Sequence, residues 1–330
     1  MRKTVAVVLA AALLLTGCVA GEDSGGSAAG GTTGLRLDYA YWNPASLVLR
    51  EQRWLEEELA DEGVSVSWLQ SAGSNKANEN LRAGALDIGS TAGVAALVAR
   101  ANGSPIKTVG VFSQPEWAAV VVAKGSPITS VAQLKGRKVA ATKGTDPYFF
   151  LLQALDEAGL APGDVTVVNL QHADGKTALE RGDVDAWAGL DPHMAQTQVD
   201  AGSTLLYRNV AFNTYGVLNA REEFVSGHPE LVQRVVNAYE RARQWIVAHP
   251  EQAVELLARE SKVSPAVARV VLAERTRFDV DPVPGVAQRQ VFERVLPILV
   301  ADGNVRTDTE ARAALDSIFE PRFAQARAEP

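Results

Sequence analysis

"LERGDVD", from Leu179 to Asp185, repeats the pattern L-x-x-G-x-x-D of "LRAGALD", from Leu81 to Asp87. In each copy a helical run stops at a glycine, the residue that best tolerates the left-handed backbone found just beyond a helix end. A short turn follows, and then a strand with an aspartate near its start. The recurrence predicts that one helix–strand unit occurs twice, and therefore that the chain folds into two similar lobes.

Around both copies short apolar strands alternate with helical runs, as in "VSVSWL" at 64–69 and "AAVVVA" at 118–123. This alternation is typical of parallel sheets flanked by helices. After about residue 221 long helical runs dominate. We predict an α/β fold with one lobe over residues 35–120 plus 221–330, and a second over 121–220 that includes the hinge strands.

The N-terminus has the pattern of an export signal. Arg2 and Lys3 precede an apolar run that is too short to span a bilayer. The run ends in L-T-G-C, which resembles the bacterial lipoprotein box, and Cys18 is the only cysteine of the chain. We expect a signal peptide at 1–17, a lipid (palmitate) on Cys18 and a Gly/Ser-rich flexible tether at 18–34. The folded part would then be anchored to the cell membrane on its extracytoplasmic side.

The composition excludes several classes of function. The formal net charge of −7 argues against nucleic-acid binding. The four histidines, at 172, 193, 228 and 249, show no metal-ligand spacing, and no phosphate-binding loop or nucleophile elbow is present. We therefore expect no metal, no cofactor and no enzymatic activity.

Three Asx-Pro pairs each precede a helical run: Asn43-Pro44, Asp146-Pro147 and Asp191-Pro192. An Asx side chain caps a helix start well, and proline suits its first position. In open α/β sheets ligands bind beyond the carboxyl ends of strands, where helix N-termini point. The pairs, together with the small polar segment Gly89–Gly93, predict a cleft that holds a ligand oxyanion.

Three segments resemble the aliphatic-sulfonate/taurine/nitrate-type substrate-binding proteins of ABC importers. They are "GALDIGSTAG" at 84–93, the run at 120–160 that contains K-G-S-P and T-K-G-T-D-P, and "GDVDAWAGLDP" at 182–192. The resemblance implies a two-lobed periplasmic-binding-protein fold (type II) with a double-crossover hinge. It also implies delivery of a small solute to a membrane permease that is driven by a cytoplasmic ATPase, by a protein that works as a monomer.

Carried over position by position, the resemblance implies ligand contacts on both lobes. The first lobe would supply a wall at Trp42, Asn43 and Ser46, and hydroxyl and N–H donors at Ser90, Thr91, Ala92 and Gly93. The residues expected near the hinge and on the second lobe are Glu116, Trp117, Gly144, Thr145, Asp146, Trp187 and Asp191.

The ligand is left open between two classes. An alkanesulfonate or taurine-like compound is the first expectation. The alternative is a nitrogenous ligand, namely a pyrimidine or thiamine precursor, an amine or nitrate. Acids at 116, 146 and 191 would favour a ligand with a cationic nitrogen if they face it, and would leave a simple sulfonate open if they only cap helices. A non-transport enzyme of the same fold is the third reading, and Cys18 would lie outside its folded part.

Overall fold

The structure is a computed structural model, and it describes residues 34–326. The predicted signal peptide, the lipidated Cys18 and the tether lie outside the described residues, apart from Gly34 itself. Between residues 34 and 326 no helix combines the length and the apolar character that a bilayer crossing requires.

Eleven strands and fourteen α-helices make up the described part of the chain. The strands are β1 Gly34–Tyr39, β2 Ser65–Gln70, β3 Ile88–Ala92, β4 Ile106–Pro115, β5 Ala118–Val122, β6 Lys138–Ala141, β7 Thr166–Asn169, β8 Ala186–Leu190, β9 Thr204–Tyr207, β10 Gly216–Arg221 and β11 Thr276–Arg277. The helices are α1 Pro44–Gln52, α2 Trp54–Leu59, α3 Ser74–Arg82, α4 Gly93–Ala101, α5 Asp146–Glu157, α6 His172–Arg181, α7 His193–Gln196, α8 Glu222–Gly227, α9 Pro229–Ala248, α10 Pro250–Ser261, α11 Pro265–Arg269, α12 Val286–Ala301, α13 Asp308–Ser317 and α14 Arg322–Gln325.

Two sheets of the same design carry the fold. The first has the order β11-β4-β10-β3-β1-β2 and the second β7-β6-β8-β5-β9. In the first sheet β10 runs antiparallel to both β3 and β4, and in the second β5 runs antiparallel to both β8 and β9. Each lobe is thus a mostly parallel sheet: the second sheet has one reversed strand, β5, and the first has two, β10 and the short β11, which is antiparallel to β4. The predicted α/β fold of two similar lobes is confirmed.

The chain passes between the sheets twice. It leaves the first sheet after β4 and enters the second at β5, and it returns through the connection from β9 to β10. The predicted lobe boundaries at residues 120 and 220 both fall inside a strand, β5 and β10 respectively. The two boundaries are better placed in the connections at 116–117 and 208–215.

The repeated aspartates make the same contact in both lobes. The backbone N–H of Asp87 donates to the carbonyl of Arg36 at 2.9 Å, and the N–H of Arg36 returns a bond to Asp87 Oδ2 at 2.9 Å. Asp185 and Lys138 make the same pair of bonds, again at 2.9 Å each. Each aspartate therefore joins the strand that follows it, β3 or β8, to the neighbouring parallel strand, β1 or β6.

Both repeated glycines have the predicted conformation. Gly84 has φ +70° and Gly182 has φ +78°, the left-handed region in which a side chain would be strained. Helices α3 and α6 end there, and β3 and β8 follow after the aspartates. The pattern L-x-x-G-x-x-D therefore encodes one structural unit at both positions.

Replacing Asp87 by alanine should lower the free energy of unfolding by about 2–3 kcal/mol, because its carboxylate accepts charge-assisted bonds from both the backbone and the side chain of Arg36. Asp183→Ala is the matched control, since Asp183 is exposed in the turn of the second copy and should change stability by less than about 0.5 kcal/mol. Urea denaturation of both variants measures the difference. Equal losses would contradict the role given to the repeated aspartates.

Candidate functional site

A cavity of about 200 Å³ lies where the two sheets face each other. Four strands end at it: β1 and β2 of the first sheet, and β7 and β8 of the second. The lining residues are Tyr41, Trp42, Gln70, Ser71, Ala72, Gln171, His172, Ala173, Leu190, Asp191, Pro192 and His193. This is the carboxyl edge at which open α/β sheets bind ligands, and both lobes contribute to it.

Two helix N-termini, one from each lobe, adjoin this cavity. Helix α3 begins just after Ala72 and helix α6 begins at His172, and neither start is capped by a side-chain hydrogen bond. The first N–H groups of a helix have no partner within the helix and carry partial positive charge. The cavity therefore offers an anion two sets of backbone donors.

Several polar atoms around the cavity are buried without a hydrogen-bond partner. They are Nε1 of Trp42, Oδ1 of Asn75, Oε1 of Gln171 and Nε2 of His172. A buried polar group without a partner is costly, so such groups are rare in folded proteins. These atoms are available to form hydrogen bonds with a molecule that enters the cavity.

Gly73 lies where the two lobes come closest beside the cavity. A Cβ at this position would be 2.8 Å from Oδ1 of Asn75 and 2.9 Å from Nε2 of His172, which belongs to the other lobe. Across the same gap, a Cβ on Gly144 would meet Cβ of Asn75 at 3.5 Å. The absence of a side chain at 73 therefore lets the lobes approach each other.

The acids near the cavity are already paired. Asp191 lines the cavity, but its carboxylate accepts from Arg275 Nη1 at 2.9 Å and from the N–H of Ala195 at 2.8 Å. Burial raises the pKa of Asp191 to about 6, against the lowering effect of Arg275. Glu116 accepts two bonds from Arg208, at 2.8 and 2.7 Å. A cationic ligand was expected only if these acids faced it without another partner. Asp191 and Glu116 are both paired with an arginine, so they do not meet this condition.

Asp146 binds the two connections between the lobes instead of facing the cavity. Its Oδ2 accepts from Trp117 Nε1 and from the N–H of Thr214, both at 2.7 Å, and its Oδ1 accepts from the Thr214 hydroxyl at 2.7 Å. Trp117 lies on the first connection and Thr214 on the second. Burial raises the pKa of Asp146 to about 6, while the bonds from Thr214 and Trp117 lower it. We therefore correct the expectation that Trp117 and Asp146 contact ligand directly.

The segment Ser90–Gly93 is not a free ligand loop: it is the buried end of β3 followed by the first residue of α4. The N–H and hydroxyl of Ser90 donate to Asp38 at 2.8 and 3.0 Å. The N–H of Ala92 donates to a serine of α3, and the N–H of Gly93 to the carbonyl of Tyr215 at 2.9 Å. The Thr91 hydroxyl accepts from Asn219 at 2.8 Å. Because these groups bond within the protein, the predicted donors are not free for a ligand.

Asn43 and Ser46 also have internal partners. Asn43 caps α1 by accepting from the N–H of Ser46 at 3.3 Å, as its Asn-Pro pair predicted. The Ser46 hydroxyl donates to the carbonyl of Asn43 at 2.6 Å. In the second lobe, the Thr145 hydroxyl donates to the carbonyl of Thr142 at 2.6 Å. These residues shape the walls and leave Trp42 as the member of the Trp42–Ser46 loop that lines the cavity.

Trp187 is a core residue rather than a ligand wall, which corrects the prediction. Its side chain is fully buried in a cluster under α6 and α7 that includes Val121, Leu179 and Met194. A Cβ on Gly175 of α6 would be 2.6 Å from Nε1 of Trp187, so that glycine makes room for the indole. Trp187 is not among the residues that line the cavity.

Sequence reasoning missed His172 and Gln171, together with Tyr41 and the segment Gln70–Ala72. His172 was one of four scattered histidines, and nothing in its neighbours marks a site. One signal was available: residues that directly follow β2 and β7 should lie at the carboxyl edge of their sheets. Lobe-to-lobe contact, such as that of His172 with Gly73, has no counterpart in local sequence.

Comparison with known proteins gives the family. The profile described as NMT1/THI5 like matches residues 59–253. A putative aliphatic sulfonates-binding protein of Escherichia coli K12 is 29% identical over 286 residues, 86% of this chain and 87% of that protein. A weaker match is a 4-amino-5-hydroxymethyl-2-methylpyrimidine phosphate synthase of Candida albicans, 25% identical over 213 residues, 58% of this chain and 61% of that protein.

Solved structures agree in fold. The alkanesulfonate-binding protein of Xanthomonas axonopodis pv. citri, bound to MOPS, has a TM-score of 0.76 at 24% identity and covers 86% of this chain and 97% of its own. The periplasmic aliphatic sulphonate binding protein of E. coli has a TM-score of 0.73 at 26% identity, covering 90% and 94%. The predicted two-lobed periplasmic-binding-protein fold is thereby confirmed.

Replacing Trp187 by alanine should lower the free energy of unfolding by about 3–5 kcal/mol, because it empties a fully buried site. Trp187→Phe should lose less, since part of the ring volume remains. Denaturant unfolding measures both variants. An unchanged midpoint for Trp187→Ala would restore the ligand-wall interpretation.

His172 should make the protein less stable in acid. Burial lowers its pKa to about 3, with a further lowering from His193, whereas an unfolded histidine has a pKa of about 6.5. Below about pH 6.5 the unfolded chain takes up a proton that the folded chain does not. Stability is therefore lost as the pH falls from 6.5 toward 3, by about 2 kcal/mol at pH 5.

Removing that histidine tests the pH effect. His172→Gln should show a smaller loss of stability between about pH 6.5 and pH 5 than the unchanged protein does. The exposed His249, substituted in the same way, is the control. Urea midpoints across the pH range compare the three proteins. Identical pH profiles for His172→Gln and the unchanged protein would show that His172 is not held neutral.

Proposed function

The chain belongs to the NMT1/THI5-like family, and on that premise we propose that it is an extracytoplasmic solute-binding protein of an ABC importer. Its solute is an alkanesulfonate or a taurine-like compound, which it delivers to a membrane permease that is driven by a cytoplasmic ATPase. The observation that carries the proposal is the cavity between the lobes, where unpartnered buried polar atoms and two uncapped helix N-termini meet.

The size of the cavity and the two uncapped helix N-termini beside it suit a small anion with an apolar part. A volume of about 200 Å³ is somewhat larger than the roughly 150 Å³ cavity that accommodates benzene in another protein. The sulfonate oxygens would accept from the N–H groups at the starts of α3 and α6 and from Trp42 Nε1. The organic part would pack on Tyr41, Trp42 and Leu190, which line the same space. The names of the sulfonate-binding relatives support this solute class.

The predicted anchor completes the proposed role. Lipidation of Cys18 would hold the protein at the membrane surface, and the tether would let the folded part reach its permease. We propose that it works as a monomer and binds without catalysis. The chain has no cysteine other than Cys18, so the folded part cannot use a thiolate.

A nitrogenous solute is the second candidate. Three of the unpartnered atoms can accept hydrogen bonds: Oδ1 of Asn75, Oε1 of Gln171 and Nε2 of His172. A pyrimidine or an amine would supply the matching N–H groups, and the match to a pyrimidine phosphate synthase points the same way. Titration of the purified protein with ethanesulfonate, taurine, nitrate and an aminopyrimidine separates the two classes. Binding of the aminopyrimidine alone would overturn the sulfonate assignment and keep the binding role.

Gly73→Ala should weaken sulfonate binding by about tenfold or more, because its methyl group would stand between the lobes beside His172. The backbone at 73 is extended, so alanine adds no backbone strain there, and the unfolding midpoint should change little once the side chain of Asn75 shifts away from the new methyl group. Gly163→Ala is the matched control, since a Cβ at 163 meets nothing within 4 Å. Calorimetric titration measures the affinities. Equal affinities in the two variants would show that the approach of the two lobes does not require a glycine at 73.

A further inference from the structure

The cavity contains no permanently charged cation to balance an anion. Among the described residues that line it, none is lysine or arginine. The guanidinium of Arg275, which contacts the lining residue Asp191, is buried and paired with that carboxylate at 2.9 Å. The titratable groups on the lining are therefore Asp191, Tyr41 and two histidines, and only a histidine can bring a positive charge to the ligand.

His172 lines the cavity with one ring nitrogen, Nε2, unpartnered, while its other nitrogen, Nδ1, contacts Thr142. It is 2% exposed, and Nε2 has no partner. The Thr142 hydroxyl donates to the carbonyl of Leu170 at 2.6 Å and lies 3.2 Å from Nδ1 of His172. Because that hydroxyl proton is already used, Nδ1 must carry a hydrogen that it donates to Thr142. Neutral His172 therefore presents a bare lone pair at Nε2.

A lone pair repels an anionic oxygen, so the neutral ring cannot bind a sulfonate through Nε2. Exchange of the tautomer would require Thr142 to give up its bond to Leu170. Uptake of a proton from solvent leaves both bonds intact and turns Nε2 into a charged donor. We propose that His172 takes up this proton as the anion enters and donates it as a hydrogen bond to an oxygen of the ligand. This inference rests on the proposed sulfonate-binding function.

The other titratable and charged groups near His172 are neutral, exposed or already paired, which leaves His172 as the group that can take up a proton when an anion binds. His193 of α7 lines the same cavity, and burial lowers its pKa to about 4, with a contribution from Lys176 of α6. Lys143, which follows β6, is exposed with its Nζ 5.6 Å from the Tyr148 ring. Asp191 is paired with Arg275. Burial lowers the pKa of His172 to about 3 and so holds the ring neutral, whereas an anion beside Nε2 would raise that pKa.

The sign of the pH dependence follows from proton uptake. Where the complex binds one more proton than the free protein, affinity falls as the pH rises, by at most about tenfold per pH unit. Calorimetric titration of the purified protein with ethanesulfonate, from about pH 5 to about pH 8, measures this slope. Repeating each titration in two buffers of different ionisation enthalpy counts the protons directly. We expect uptake that approaches one proton at the acid end.

His172→Gln keeps a hydrogen-bond donor and removes the titration. It should bind ethanesulfonate with an affinity that no longer changes with pH, and with no dependence of enthalpy on buffer. His193→Gln is the matched control and should keep both dependences. Asp191, the other acid on the cavity, could also gain a proton beside an anion, so uptake that survives in His172→Gln would overturn the proposal.

The unchanged protein gives an independent test that does not require the variant to fold. The ¹⁵N shift of its His172 ring should change from the neutral to the protonated form when ethanesulfonate is added near pH 6. Binding without this change, or without proton uptake, would overturn the role of His172 and leave sulfonate binding intact. No binding of ethanesulfonate or taurine at any pH would overturn the proposed function together with this inference.

Discussion

The rest of the fold depends on the paired hydrogen bonds, one through the backbone and one through the carboxylate, that join Asp87 to β1 and Asp185 to β6. Side chains alternate between the faces of a strand, so a slip of one residue would exchange buried and exposed positions. By joining Arg36 to β3 and Lys138 to β8, the two aspartates fix the register of the strands on both sides. The loops after those strands are then presented at one edge, where the lobes face each other.

The fold could be predicted because its signals are local. A glycine at a helix end and an aspartate at a strand start act on their near neighbours, and both lobes carry them at 84, 87, 182 and 185. The residues that line the site could not be predicted in the same way. Ser90 looked like a free donor, but its partner is Asp38 on the next strand, and only the folded sheet brings the two together.

The three Asx-Pro pairs illustrate the same limit. Asn43-Pro44 begins a helix as predicted. Asp146 lies inside the first turn of α5, with Thr145 as the cap, and its carboxylate serves the two inter-lobe connections. Asp191-Pro192 has a cis peptide bond and α7 begins only at His193, yet Asp191 accepts both from the N–H of Ala195 in that helix and from Arg275. The carboxylate of Asp146 is the one that serves tertiary partners alone, an indole N–H together with the N–H and hydroxyl of Thr214.

The pair Trp42 and Trp117 gives the protein a built-in optical reporter. The two indoles meet edge to face, with centroids 5.5 Å apart and planes at 82°. Trp42 lines the cavity, whereas Trp117 is fixed to Asp146 on the connection between the lobes. One ring therefore senses the polarity of the occupant and the other senses the geometry of the hinge. Entry of a solute should register in the intrinsic fluorescence of the protein without any attached dye.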